Sequence, residues 1–252
     1  SRQHGMKSYA EPYEGGPFEE MQIGSRVDLP MGEFWVGGGQ REGDTRRVKL
    51  AASVAHVNAK GVVGAESFTG MPMFSKWQEY PYSMKAQGDW MYTLGLNQFV
   101  FHRYAQQPHP DALPGMTMGP WGFHFDRTNT WFNHAKAWLE YVARCQYMLQ
   151  QGLFVADLAY FTGEDAPLRN PSPGELSPAP PQGHDYDTVN AEAILTRMKV
   201  ENGGIVLPDG MSYRVLVLGE KTTMTLEVLR KIRDMVEQGM CLVGPKLEHS
   251  PT

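Results

Sequence analysis

Val62-Val63-Gly64-Ala65-Glu66-Ser67-Phe68-Thr69 is a short apolar run that stops at a carboxylate. The run is too short for a helix, and Lys60-Gly61 leads into it, so it reads as a buried strand. Gly70 and Pro72 break the pattern directly afterwards, which puts Glu66 at or near the strand's C-terminal end. In barrels of alternating strands and helices, catalytic groups project from that end. A single strand-end Glu can equally cap the next segment or pair with an Arg. The device gains weight because it recurs along the chain.

Upstream, Lys7–Tyr13 reads as a short strand ending in Glu11-Pro12, and Gly32–Val36 as another that carries Glu33 and runs into Gly37-Gly38-Gly39. Residues 19–31 read as irregular. Downstream, Asn97–His102 is a strand ending in His102, and Phe154–Phe161 one that ends at Gly163-Glu164. Helices are expected between them, over about 44–59, 77–94 and 131–151. The first has a narrow face of small residues (Val48, Ala51, Ala52, Ala55, Ala59) suited to lying on a sheet. Residues 103–130 form a long loop rich in Pro, Gly, His and aromatics, and loops of that length inside a domain are usually functional.

This alternation is the signature of a parallel α/β sheet. The expectation is the C-terminal portion of a (β/α)8 TIM-type catalytic barrel over residues 1–166. Four or five strands are visible, so a closed barrel needs sequence upstream, and the chain reads as a piece of a longer polypeptide. Residues 167–182, with Pro167, Pro171, Pro173, Pro178, Pro180 and Pro181, read as a Pro-rich connector. Residues 183–252 read as the start of a second, doubly wound α/β domain. It has a helix near 190–197, a hairpin arm at 203–210, a strand at 213–218, a helix over 225–238 and a strand at 241–244.

The chain has 252 residues and a net charge of −5, with no basic run to neutralise phosphates, which argues against nucleic acid as a partner. No apolar stretch is long enough to span a membrane. Cys145 and Cys241 lie far apart without metal spacing. Walker glycines, a strand-linked GxGxxG, His-Glu-x-x-His and Gly-x-Ser-x-Gly are all missing. What remains is a set of strand-end carboxylates: Glu11, Glu33, Glu66 and Glu164, with Asp157 inside a strand. Two carboxylates flanking a bond are what glycoside hydrolysis requires: one protonates the leaving oxygen, and the other activates water or attacks the sugar. Glu66 and Glu33 are therefore the candidate catalytic residues. Many of the 6 Trp, 11 Tyr and 11 Phe sit beside Gly, Pro, His or Glu, where an exposed ring suits a sugar, although the ordinary place of an aromatic is the core. Trp35, His102, Trp121, Trp131 and Glu11 are the candidate substrate-binding residues.

Several ordered blocks resemble one family. Asp28-Leu29-Pro30-Met31-Gly32-Glu33-Phe34-Trp35 is similar to its D-x-P-M-G-E-F-W block. Lys49–His56 resembles its K-x-A-A-S-x-A-H block, and Ala65-Glu66-Ser67-Phe68-Thr69 its A-E-A-F-T block, with Ser67 in place of the usual Ala. Pro114-Gly115-Met116, Trp121-Gly122, Asn129-Thr130-Trp131 and Gly183-His184-Asp185-Tyr186-Asp187 follow in order. The family is glycoside hydrolase family 106, the α-L-rhamnosidases. The resemblance implies an (α/β)8-type catalytic domain within a larger enzyme that removes terminal α-L-rhamnose with inversion, from plant or microbial polysaccharides or glycosides. It also implies a bound calcium and a periplasmic or secreted location. Glu66 is then the expected general base and Glu33 a catalytic or calcium-associated carboxylate, with one catalytic Glu expected upstream. The calcium ligands are not identifiable from sequence. The competing readings are a non-catalytic carbohydrate-binding fragment and a β-galactosidase-like retaining hydrolase.

Overall fold

The computed structural model describes residues 2–14, 16–37, 41–109, 111–113, 115–117 and 119–251. Its first part runs β1 (Tyr9–Ala10), α1 (Glu20–Ser25), β2 (Leu29–Val36), α2 (Glu42–Val57), β3 (Gly64–Gly70), α3 (Pro72–Ser75), α4 (Pro81–Thr93), β4 (Gln98–Phe101) and α5 (Lys136–Leu149). The second runs β5 (Leu158–Phe161), β6 (Tyr186–Val189), α6 (Ala191–Thr196), β7 (Lys199–Glu201), β8 (Gly204–Val206), β9 (Ser212–Tyr213), β10 (Val215–Val217), α7 (Leu226–Glu237) and β11 (Cys241–Val243).

β1, β2, β3 and β4 form one sheet in chain order, every pairing parallel. This is the arrangement that helical crossovers between successive strands produce. The second sheet, in the order β11-β10-β5-β6, is also all parallel. The strand at 158–161, expected with the first unit, pairs instead with β6 and β10. All four of its residues are buried and none is charged, so its pattern marks a covered strand without saying which sheet covers it. A small antiparallel sheet, β7-β8-β9, completes the fold; only one of its arms was apparent in the sequence.

Two expectations are corrected here. The segment read as irregular contains α1, whose first turn is closed by an unexpected cap: the Glu19 carboxylate accepts hydrogen bonds from the Met21 and Gln22 N–H groups. The Pro-rich stretch is more than a spacer. Leu168 O accepts from Glu20 N at 3.1 Å, Leu168 N donates to Phe18 O at 3.0 Å, and the Glu20 carboxylate accepts from Asn170 N at 2.8 Å. These bonds fasten it along α1.

α2 is the axis on which both sheets hang. Val48, Ala51, Ala52 and Ala55 lie in the core beneath the first sheet, as their small-residue pattern predicts, whereas Ala59, expected on the same face, falls beyond the end of α2 and is exposed in a left-handed turn. Leu50 and Val54 pack with Met21 of α1. A third face, Lys49, Ser53 and His56, meets β6: Ser53 Oγ donates to Asp187 Oδ1 at 3.0 Å, His56 Nδ1 lies 3.0 Å from the same oxygen, and Lys49 Nζ is 2.6 Å from Asp185 Oδ1. Tyr213 donates to the second oxygen of Asp187 at 3.0 Å. A helix buried on several faces needs polar residues with fixed partners, which explains why a Lys, a Ser and a His interrupt an alanine-rich run. Among the described residues no helix is long and apolar enough to cross a membrane.

Candidate active site

β2 and β3 set the site through side-chain alternation. Along β2, Phe34 and Val36 are buried in the core, whereas Glu33 and Trp35 are only half-buried on the opposite face. α2 lies so close over Gly32 that a Cβ there would come within 2.7 Å of Arg47 O and 2.9 Å of Val48 Cα. The glycine of the M-G-E-F-W block is thus required by sheet–helix contact, and the Glu beside it faces away from the helix layer.

Glu33 pairs in register with Glu66, but Trp35 pairs with Thr69, so β3 carries one extra residue between these points. This is a β-bulge, a device that re-aims side chains beside active sites. Phe68 takes the strain, with φ of +62°. Its ring is fully buried, 4.8 Å from that of Phe34 and 5.0 Å from that of Phe99. Because of the bulge, Ala65 and Phe68 both face the core and Glu66 and Thr69 share the other side, where the Thr69 hydroxyl donates to Glu66 Oε1. Ser67, the departure from the family's Ala, is buried and donates to Ala65 O at 2.7 Å within its own strand.

Neighbouring strands add to the pair. Glu11 follows β1, and the Tyr13 hydroxyl lies 3.0 Å from Glu11 Oε2 and 3.1 Å from Glu33 Oε2, bridging them. His102 follows β4 with its Nδ1 3.7 Å from Glu66 Oε1, and that nitrogen is buried without a hydrogen-bond partner. Glu11, Glu33, Glu66 and His102 therefore converge from four consecutive parallel strands. Burial raises the Glu33 carboxyl above its ordinary value and the charge of Glu66 adds to this, against opposition from Arg47 and Tyr13. Glu11 is raised chiefly by burial, with the Tyr13 hydrogen bond opposing and Glu66 and Glu33 contributing further. Asp44, fully buried, is pushed up to about 6 by burial although it accepts the Trp35 N–H at 3.2 Å. Arg47 is the nearby cation: Nη1 is 3.8 Å from Glu33 Oε2, and Nη2 bonds Glu14.

The aromatic candidates divide. Trp35 and Trp121 meet edge to face at 5.7 Å and form one wall beside Glu33. Trp121 is held by Arg103, which donates to Trp121 O at 3.1 Å and to Gly119 O at 2.9 Å. Trp131 does not join them. It stacks on Phe123 and Phe125 in the aromatic core and donates its indole N–H to Glu79 O at 2.8 Å, so its expected sugar-binding role gives way to packing. Sequence reasoning missed Tyr13, Arg47, Thr69 and Arg103. Only Tyr13 carried a signal, standing two residues beyond a strand-end Glu. The expected calcium needs six to eight oxygen ligands. Among the described residues no group of three or more His, Cys, Asp or Glu side chains is arranged to hold a metal.

Glu33 and Glu66 were expected at strand ends, but both lie inside their strands, β2 continuing to Val36 and β3 to Gly70; a parallel α/β sheet that pairs carboxylates on adjacent strands beside a tryptophan wall fits the class of carboxylate-bearing carbohydrate hydrolases. The particular family follows from comparison: the chain matches glycoside hydrolase family 106, described as alpha-L-rhamnosidase, over residues 1–252, and belongs to it. It is 41% identical over 250 residues to a protein of Formosa agariphila named "Putative beta-glucuronidase", covering 99% of this chain and 20% of that one. It also superposes on the solved structure of a rhamnosidase from Novosphingobium sp. PP1Y, with a TM-score of 0.88, 30% identity, and coverage of 100% of this chain and 24% of that one. The chain thus spans about a fifth of the curated relative and about a quarter of the solved one.

Proposed function

We propose that this chain supplies the carboxylate-bearing part of a (β/α)8-type catalytic site that releases terminal α-L-rhamnose from glycans with inversion. The carrying observation is the in-register pairing of Glu33 and Glu66 on the same face of adjacent parallel strands. Glu66 is the general base: it takes a proton from the attacking water, with Thr69 fixing its rotamer through Oε1. Glu33 lies alongside and holds the same water through its carboxyl, while Tyr13 fixes that carboxyl's orientation. Trp35 and Trp121 offer apolar ring faces to the sugar, and His102 a hydroxyl partner.

Inversion places the proton donor on the opposite face of the sugar, with the carboxyls about 6.5–9.5 Å apart to admit water. Neighbouring strands are separated by about 4.8 Å. On this reading the proton donor comes from elsewhere in the polypeptide, as the family resemblance implies. Substrate charge also separates rhamnose from a uronic acid. Glu11, Glu33 and Glu66 make this face acidic, and Arg47 is engaged by Glu14 and Asp44, so a neutral deoxy-sugar is better accommodated than a glucuronide.

One observation favours a second reading. A separation of one strand is also compatible with the shorter distance of about 5–5.5 Å found in retaining enzymes. Proton NMR of the first-formed sugar decides between them. Inversion yields β-L-rhamnose before mutarotation; initial α-L-rhamnose overturns the inverting assignment, and turnover of a β-glucuronide but of no rhamnoside overturns the substrate.

A further inference from the structure

The second sheet builds a crevice of its own. Its order is β11-β10-β5-β6, so the chain leaves β5 for β6 on one side and later returns past β5 to β10 on the other. The two connections also cover opposite faces. Leu176, in the connection after β5, packs with Leu158, Tyr160 and Val217. Val228 and Ile232 of α7, in the connection after β10, pack in the cluster of Ala159, Phe161 and Leu216, the alternate residues of the same two strands. β5 and β10 therefore flank a topological switch point. The loops diverge there, and open α/β sheets hold their ligands in the crevice left at the carboxyl ends of such strands.

A hollow of about 310 Å³, within the range of small-ligand sites, occupies that place. Phe161 and Thr162 at the end of β5 line it, together with Leu218, Gly219 and Lys221 just after β10. Gly219, with φ of +63°, turns the chain so that Lys221 N donates to Leu218 O at 3.3 Å. A Cβ on Gly163 would stand 3.5 Å from Lys221 Nζ, so the ammonium lies over the loop that leaves β5. The carboxylates around it are engaged elsewhere or lie outside. Glu175 pairs with Arg169 and accepts from Ser172 N at 2.6 Å. Glu164 caps α7, accepting from Thr225 N at 2.8 Å and from its hydroxyl at 2.7 Å. Glu220 is exposed. Lys221 is half-buried, and among the described residues its ammonium has no hydrogen-bond or ion-pair partner. An ammonium has three donors and no acceptor, so an anion is what completes it. Arg169, also in the lining, uses one nitrogen on Glu175 and keeps further donors of its planar fork, whose geometry matches a carboxylate.

We infer that the switch-point crevice between β5 and β10 binds a small organic carboxylate, anchored by Lys221. The site stands apart from the hydrolase reading, because Glu11, Glu33, Glu66 and His102 all belong to the first sheet. Isothermal titration calorimetry of the complete polypeptide in low-salt buffer, with succinate and separately with inorganic phosphate, tests it. Wild type binds succinate, and more tightly than phosphate. Lys221→Met weakens succinate binding by about tenfold or more, as the loss of a hydrogen bond to a charged group requires. Lys221→Arg keeps the charge and retains binding. The ammonium has no partner to strand, so the unfolding temperature of Lys221→Met stays at the wild-type value. Absence of succinate binding by wild type, or equal binding by Lys221→Met, overturns the site. Phosphate bound at least as tightly as succinate overturns the carboxylate assignment.

Discussion

Asp187 provides a decisive test of what the two family blocks that meet at it are for. Ser53 and His56 of the K-x-A-A-S-x-A-H block contact its fully buried carboxylate, which itself belongs to the G-H-D-Y-D block. A Ser, a His and an Asp invite a catalytic reading, but the geometry opposes it: the serine hydroxyl donates to the aspartate rather than to the histidine. The cluster instead joins α2 to the second sheet. Asp187→Ala strands the Ser53 and Tyr213 hydroxyls and the His56 ring in a buried site. Removing one member of a buried charged network costs about 3–5 kcal/mol. At about 2–4 °C per kcal/mol, the unfolding transition of this unit falls by about 6–20 °C, measured by calorimetry. Asp187→Asn keeps the shape and one acceptor, and loses less. Burial alone would raise the Asp187 carboxyl, but His56, Lys49 and Ser53 outweigh it and hold it below its ordinary value. Its stabilising contribution is therefore present above about pH 4 and disappears as pH falls through the lower folded value; the Ala variant lacks this acid-dependent component. In the folded fraction kcat stays within about threefold of wild type, because catalytic effects of general acid–base groups run to about 10²–10⁴-fold. A transition lowered by less than about 3 °C, or a hundredfold loss of kcat without a stability change, would refute the structural reading.

Other consequences concern acid and the carboxylate pair. Burial and the charge of Arg103 lower the His124 imidazole to about 4, and the ring stacks on Trp77 at 3.6 Å. The unfolded chain takes up that proton near pH 6.5, so stability falls as pH drops from about 6.5 to about 4, by up to about 3 kcal/mol. Urea midpoints at pH 7 and 4.5 should show the drop, and His124→Gln should reduce it. Tyr13→Phe removes the donor that favours ionised Glu11 and Glu33. Both carboxyls then hold their protons to higher pH, and the acidic limb of the kcat/KM profile moves upward; an unmoved limb detaches Tyr13 from the site. Gly32→Ala forces a methyl group onto the α2 backbone and costs about 1–3 kcal/mol in chemical denaturation.

Much of the site was legible because strands reveal themselves by apolar runs and breakers. The strands that carry or precede Glu11, Glu33, Glu66 and His102 do lie side by side, with Glu11 and His102 just past their strands, but Glu33 and Glu66 lie inside β2 and β3 rather than at the ends where their runs seemed to stop. The bulge at Phe68 was hidden, since a large aromatic at positive φ is held there by rings distant in sequence, from Phe34 to Phe123. Trp131 misled for a related reason: a tryptophan beside polar residues looks available until Phe123 and Phe125 are seen stacked against it. β5 read correctly as a strand, but nothing in Leu158–Phe161 names its partners, because sheet membership is decided by which strands lie alongside. α1 escaped because its cap is a glutamate, a residue outside the usual capping set.

The claim beneath the whole account is that Glu66 draws the proton from the water that attacks the sugar. Single-turnover and steady-state kinetics of Glu66→Gln in the complete polypeptide, on an aryl α-L-rhamnoside, address it directly. The account predicts a loss of kcat of about 10²–10⁴-fold with KM little changed. A kcat within a few-fold of wild type would contradict it.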